Sequence, residues 1–215
     1  MDIMWYGHAC FRMKGRQGTV ITDPYDKSLG LPLPNLKADI ITVSHDTPHH
    51  NYIDGVKGEF KVVDSPGEYE IGGIFINGIH IAPSKNKDNP SPSSYKNNVF
   101  VIDMDDITIC HLGDLNHVPT QEQVEDMGSI DILLVPVGGQ GALNAAQAAE
   151  VISLVEPYMV IPMHYSLPGL KLKFDPVSKF LKEMGIAKDE TIDTLKITKS
   201  ALPEETQIVL LEARL

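Results

Sequence analysis

Residues 131–141 read Asp131-Ile132-Leu133-Leu134-Val135-Pro136-Val137-Gly138-Gly139-Gln140-Gly141. From 132 to 137 polar and apolar residues do not alternate. That is the pattern of a strand buried on both faces, as in the parallel sheets of α/β proteins. The glycine-rich tail punctuates its end. Close backbone packing accounts for these glycines better than phosphate binding, since neither Gly-Lys-Ser/Thr nor Gly-x-Gly-x-x-Gly follows. Residues 144–154 then place Ala, Val, Ile and Leu at helical spacing. Residues 159–162, Met-Val-Ile-Pro, form a second short apolar strand, and His164 follows it. Alternating strands and helices predict a layered α/β domain.

Towards the N-terminus, 99–103 and 107–111 predict a hairpin about Asp105-Asp106, leading into Leu112-Gly113-Asp114-Leu115-Asn116-His117. Thr120, with Gln123 three residues on, predicts a capped helix to about residue 127. Residues 73–77 and 79–82 predict a hairpin turning at Asn77-Gly78. Residues 39–44 form a buried strand ending at His45, and 61–64 a further short one. Runs 2–6, 9–13 and 19–22 resemble an antiparallel meander broken at Gly7-His8 and at 15–18. Residues 27–38 are a loop, and the Pro/Ser-rich stretch 84–97 is expected to be a mobile one. A helix near 176–184 and strands at 192–197 and 207–212 close the chain. One domain spanning 1–215 is expected at this length.

The chain carries 29 acidic and 18 basic side chains, a formal charge of −11. That balance disfavours nonspecific nucleic-acid binding and anionic membranes. No apolar run approaches the ~20 residues of a bilayer span. The N-terminus lacks a basic segment followed by an apolar one. Both cysteines, Cys10 and Cys110, sit in apolar strand-like runs. A cytoplasmic, reducing location is therefore expected. Basic residues gather between Lys171 and Lys199, read as the solvated face of a late helix and strand.

Eight histidines are present, at 8, 45, 49, 50, 80, 111, 117 and 164. His45 ends one buried strand, with His49 and His50 close behind. Asp114 ends another, and His164 a third. Separate strands thus deliver ligand-type residues at one end, where α/β folds place sites. Imidazole with carboxylate suits zinc, iron, manganese or nickel and not calcium.

Five blocks together resemble the metallo-β-lactamase-fold superfamily, in its branch of small bacterial and archaeal metal-dependent hydrolases. They are Trp5-Tyr6-Gly7-His8 with Thr22-Asp23-Pro24, Val43-Ser44-His45-Asp46-Thr47-Pro48-His49-His50, Cys110 to His117, Leu134 to Gly139, and Ile161-Pro162-Met163-His164-Tyr165. The resemblance implies a four-layer αββα sandwich, two mixed β-sheets flanked by helices. It implies a centre drawing on His45, His49, His50, Asp114 and His164, whose metal activates a water. Asp114 would hold metal and water, and His8 or His117 would assist proton transfer. His8 is otherwise a turn-stabilising residue. Asp23 is open between orienting a ligand histidine and an ordinary Asp-Pro turn. His111, inside its strand, reads as structural.

The sequence departs from the superfamily signature His-x-His-x-Asp-His. Thr47 stands where a second histidine belongs, and His49 where the aspartate belongs. The 84–89 loop lacks the histidine expected there, and Lys87 could supply an ammonium in its place. The expected cofactor is thus a divalent metal, zinc first with manganese, iron or nickel as alternatives, and one ion rather than two. The expected function is metal-dependent hydrolysis of an ester, lactone, amide or phosphodiester in a small-molecule substrate. The alternative is a binding or scaffold protein on a degenerate hydrolase fold. The resemblance also leaves a homo-oligomer open.

Overall fold

Strand polarity decides where this fold can place a site. The computed structural model describes residues 1–82, 96–187 and 190–215. One mixed sheet runs in the order Leu195–Lys196, Asp2–Trp5, Phe11–Lys14, Thr19–Thr22, Ile40–Thr42, Lys61–Val63. Its first three chain segments form the expected meander, and the strands from Thr19 to Val63 are mutually parallel. The other sheet runs Gln207–Ile208, Met159–Met163, Ile132–Pro136, Ile107–His111, Asn98–Met104, Ile74–His80, Gly67–Ile71. Its strands from Ile107 to Met163 are parallel, and the remainder towards Gly67 is an antiparallel meander.

The sheets pack as an α/β sandwich, and alternation along each strand assigns the faces. Ile3, Trp5, Phe11, Met13, Val20 and Ile40 point into the core shared with the second sheet. Met4, Ile21 and Ile41 point outward, against Tyr25, Leu29, Leu31 and Leu36. The layer outside the first sheet is thus the segment following Thr22, with 3-10 turns at Lys27–Leu29 and Ile53–Gly55. Helices α1 (Gln121–Met127), α2 (Ala145–Val155) and α3 (Val177–Glu183) accompany the second sheet. There α2 packs on α1, on α3 and on strand Ile132–Pro136. Capping boxes start two of them, Thr120 with Gln123 and Asn144 with Gln147. None of the helices described is long and apolar enough to cross a membrane.

One hairpin differs from expectation. Asn77 and Gly78 do not turn; they pair with Val101 and Phe100 inside the strand Ile74–His80. The turn is at Gly72-Gly73, where φ is 62° and 80°. A two-residue hairpin of this kind needs positive φ twice, which two glycines adopt without a Cβ clash. Gly78 serves a different need: a Cβ there would come within 2.6 Å of the Ser65 carbonyl oxygen. The second hairpin turns at Asp105-Asp106 as expected, with φ of 53° and 66°. The Lys87 expectation lies outside the described residues.

Candidate metal centre

In the first sheet, Asp23 and the 45–50 loop follow the C-terminal ends of Thr19–Thr22 and Ile40–Thr42. In the second, Asp114, Gln140 and His164 follow the C-terminal ends of three parallel strands. The turn 6–10 follows Asp2–Trp5, which the meander sets parallel to Thr19–Thr22. All six segments therefore reach the same edge of the sandwich, where open α/β sheets place ligands.

Backbone bonds fix the turn at that edge. The Tyr6 N–H donates to the Cys10 carbonyl at 2.8 Å, and the Cys10 N–H to the Gly7 carbonyl at 3.0 Å. The His8 carbonyl accepts from the His164 N–H at 3.1 Å and from Trp5 Nε1 at 3.0 Å. His111 Nε2 donates to the Ala9 carbonyl at 2.9 Å, so this buried histidine ties one sheet to the other. Four non-glycine residues here hold left-handed backbone: His8 at φ 51°, Asp23 at 39°, Gln140 at 57° and His164 at 57°. Such strain costs of order 1–3 kcal/mol per residue and persists where surrounding contacts over-determine it.

The result is a tight group of imidazoles. His8, His50 and His164 are buried, and each offers a ring nitrogen within 4.8 Å of the others. Nε2 of His8 lies 3.1 Å from Nε2 of His50. The carboxylate of Asp23 accepts from His50 Nδ1 at 2.8 Å, from the Ser44 N–H at 2.7 Å and from the Ser44 hydroxyl. A carboxylate only accepts, so His50 carries a proton on Nδ1 and turns Nε2 towards the cluster. Asp114 Oδ1 stands 3.1 Å from His164 Nε2. Its backbone N–H donates to Asn97 Oδ1 at 2.7 Å, and Asn97 Nδ2 donates to the Leu112 carbonyl at 3.0 Å.

Charge follows from these contacts. Burial opposes ionisation of Asp114, but the hydrogen bond and charge of His164 outweigh it and hold the carboxyl below its usual range. Burial likewise opposes charge on Asp23, and the His50 bond reverses the balance. Burial opposes charge on His50, but the bond and charge of Asp23, with the charge of Asp114, together outweigh it and raise the imidazole above its usual range. His8 is pushed well down, first by burial and then by His164 and His50. Three buried imidazoles from separate segments, with the Asp114 carboxylate beside His164, form a candidate donor set for a divalent metal. Nitrogen and oxygen donors in that number suit zinc chemistry.

Of the residues anticipated from sequence, His50, Asp114 and His164 come together. His8 joins them as a central member and not at the periphery. His45 and His49 also line the cleft of about 510 Å³ but lie outside the three-histidine group. His49 Nε2 is instead 3.2 Å from the Ser28 hydroxyl. His117 is not among the cleft's lining residues; its Nδ1 meets Asn116 Oδ1 at 2.9 Å. Asp23 takes the orienting role. Four cleft residues escaped sequence reading: Gln140, Leu172, Lys173 and Phe174. The Phe174 ring lies 4.4 Å from that of His164 and 5.7 Å from that of His8, covering the cluster.

Two mixed sheets with a histidine–carboxylate cluster at their common edge define the class: an α/β sandwich carrying a candidate metal centre. The chain belongs to the β-lactamase superfamily domain family, whose profile matches residues 2–164. A UPF0173 metal-dependent hydrolase of Thermoplasma acidophilum is 30% identical over 199 residues, covering 82% of this chain and 88% of that protein. A UPF0173 protein of Pyrococcus abyssi is 28% identical over 198 residues, covering 79% and 85%. Among solved structures, a Thermotoga maritima protein described as a Zn-dependent hydrolase of the metallo-β-lactamase superfamily is 39% identical. It matches with a TM-score of 0.79 over 98% of each chain. Igni18, a metallo hydrolase of Ignicoccus hospitalis, shares the fold alone at 17% identity, with a TM-score of 0.66 over 92% of this chain and 99% of that one.

Proposed function

We propose that this chain is a metal-dependent hydrolase with one divalent ion, zinc, held by His8, His50, His164 and Asp114. The observation that carries the reading is the convergence of three buried imidazoles whose donor nitrogens lie within 4.8 Å of one another. The names of its relatives point the same way. His45 and His49 line the cleft outside that group, and the three imidazoles with the Asp114 carboxylate 3.1 Å from His164 Nε2 supply donors for one ion.

A divalent ion there would supply Lewis acidity, lowering the pKa of water towards neutrality and polarising the scissile group. The chain's own groups do the rest. Asp23 keeps the His50 proton on Nδ1 and so leaves Nε2 as the donor. Asp114, held ionised near neutral pH, accepts a hydrogen bond from the attacking water and orients it. Asn97 fixes the backbone that carries that carboxylate. Phe174 covers one side of the cluster and limits access of bulk water. The substrate is a small ester, lactone, amide or phosphodiester that enters the cleft.

The test is metal analysis and turnover on the purified chain. One equivalent of zinc per chain is expected, with hydrolysis of 4-nitrophenyl acetate or bis(4-nitrophenyl) phosphate. His164→Ala should lose the metal, and Asp114→Asn should lose most turnover. A chain that takes up no metal and turns over neither compound refutes the reading. Two equivalents refute the single-ion centre.

A further inference from the structure

The segment 166–176 is held as a firm wall of the cleft. The Ser166 N–H donates to the Asp175 carbonyl at 3.0 Å, and the Asp175 N–H to the Gly138 carbonyl at 2.9 Å. The Lys171 N–H donates to the Leu29 carbonyl at 3.0 Å. Gly30 packs so closely here that a Cβ would lie 2.4 Å from the Gly169 carbonyl oxygen. Between these anchors, Leu172, Lys173 and Phe174 line the cleft. Phe174 is seated on the histidine rings, and Leu172 is 38% exposed at the mouth.

Lys173 is the one ammonium or guanidinium among the described residues that line this cleft. Of the basic groups nearby in sequence, Lys179 is engaged with Asp175 at 2.6 Å, and Lys171 and Lys182 do not line the cleft. No described side chain pairs with Lys173. In a chain of net charge −11, an unpaired cation over the cleft works against the general field. It would attract an anionic group that the rest of the surface repels. The apolar side chains on either side of it suit a hydrophobic body next to that charge.

We propose that the cleft selects small substrates carrying an anionic group, a carboxylate or phosphate, on an apolar body. Lys173 binds the anion, while Leu172 and Phe174 contact the body. This rests on the hydrolase reading and narrows its substrate class.

The test compares 3-phenylpropionate with its neutral isostere 3-phenylpropionamide, titrated calorimetrically into the zinc-loaded wild type, Lys173→Ala, Lys173→Glu and Lys173→Arg. Wild type should bind the carboxylate more tightly than the amide. Lys173→Ala should weaken carboxylate binding about three- to fivefold, the scale of one exposed charge pair. Lys173→Glu should weaken it further and Lys173→Arg restore it, while all four bind the amide alike. The differences should shrink at 0.5 M NaCl, where screening is strong. Equal binding of the carboxylate by wild type and Lys173→Glu overturns the proposal, as does parallel loss of both probes. Zinc binding and turnover by the same preparations report separately on the hydrolase reading, so the two can fail independently.

Discussion

Nδ1 of His50 donates to the buried Asp23 carboxylate at 2.8 Å, joining the loop after one strand to the residue after its parallel neighbour. This bond sets which nitrogen of His50 is available. Asp23→Asn keeps the shape but can present its amide nitrogen to Nδ1, favouring the other tautomer. Zinc affinity is expected to fall 10- to 100-fold, the usual effect of removing a partner behind a ligand histidine. Competition with a chromophoric chelator measures it; unchanged affinity would separate Asp23 from the centre.

Gly113 carries the chain from strand Ile107–His111 to Asp114 with φ at 59°. A Cβ there would sit 2.4 Å from Ser44 Cβ and 2.5 Å from Asn97 Oδ1. Both neighbours support the cluster, Ser44 through Asp23 and Asn97 through Asp114. Gly113→Ala should combine left-handed backbone strain with overpacking, for a loss of about 2–4 kcal/mol. Urea unfolding of the metal-free chain tests this. Stability within about 0.5 kcal/mol of wild type would show that the neighbours can yield.

Much of this arrangement is visible in sequence because strand ends carry it. The apolar runs before His45, Asp114 and His164 mark where three site segments begin. Which histidines bind together is not visible in the same way. His45, His49 and His50 all line the cleft, yet only His50 joins the tight three-histidine group, where Asp23 from another strand grips its Nδ1. His8 sits in a turn whose position depends on Trp5 and His164, far apart in the chain. Pairing of Asp2–Trp5 with Leu195–Lys196 is likewise nonlocal and has no local signature. The Lys171–Phe174 segment looks like an ordinary solvated stretch. Only its tertiary anchors at Leu29 and Gly138 turn it towards the cleft. The Asn77-Gly78 misreading is a competition between two adequate turn signals, decided by the register against Val101 and Phe100.

His111 offers a pH test away from the ligand nitrogens. Burial lowers its pKa, while its Nε2–H holds the Ala9 carbonyl. An unfolded histidine titrates near pH ~6.5. With the folded value lower, the unfolded chain binds the extra proton first as pH falls. Stability is then full above about pH 6.5 and declines below it, towards the folded pKa. His111→Gln keeps an N–H donor but does not titrate. It should reduce the loss of stability between pH 7.5 and 5.5, at a cost on the order of 1 kcal/mol at pH 7.5. Urea midpoints at the two pH values decide; an unaltered pH slope would remove His111 from the acid sensitivity.

Phe174 is the remaining cover over the cluster, half-buried with its ring 4.4 Å from that of His164. Truncation to alanine should cost less than the ~3–5 kcal/mol of a fully buried phenylalanine, about 1–2 kcal/mol. The larger effect should fall on exchange. A cluster opened to water on that face lets a chelator reach the ion more readily, so zinc release to excess EDTA should quicken several-fold. Equilibrium affinity should fall less, because His8, His50, His164 and Asp114 are all retained. Stopped-flow release kinetics beside an equilibrium titration distinguish the two effects. If Phe174→Ala weakens affinity as much as His164→Ala does, the ring is holding the imidazoles in place and its role as a cover is wrong.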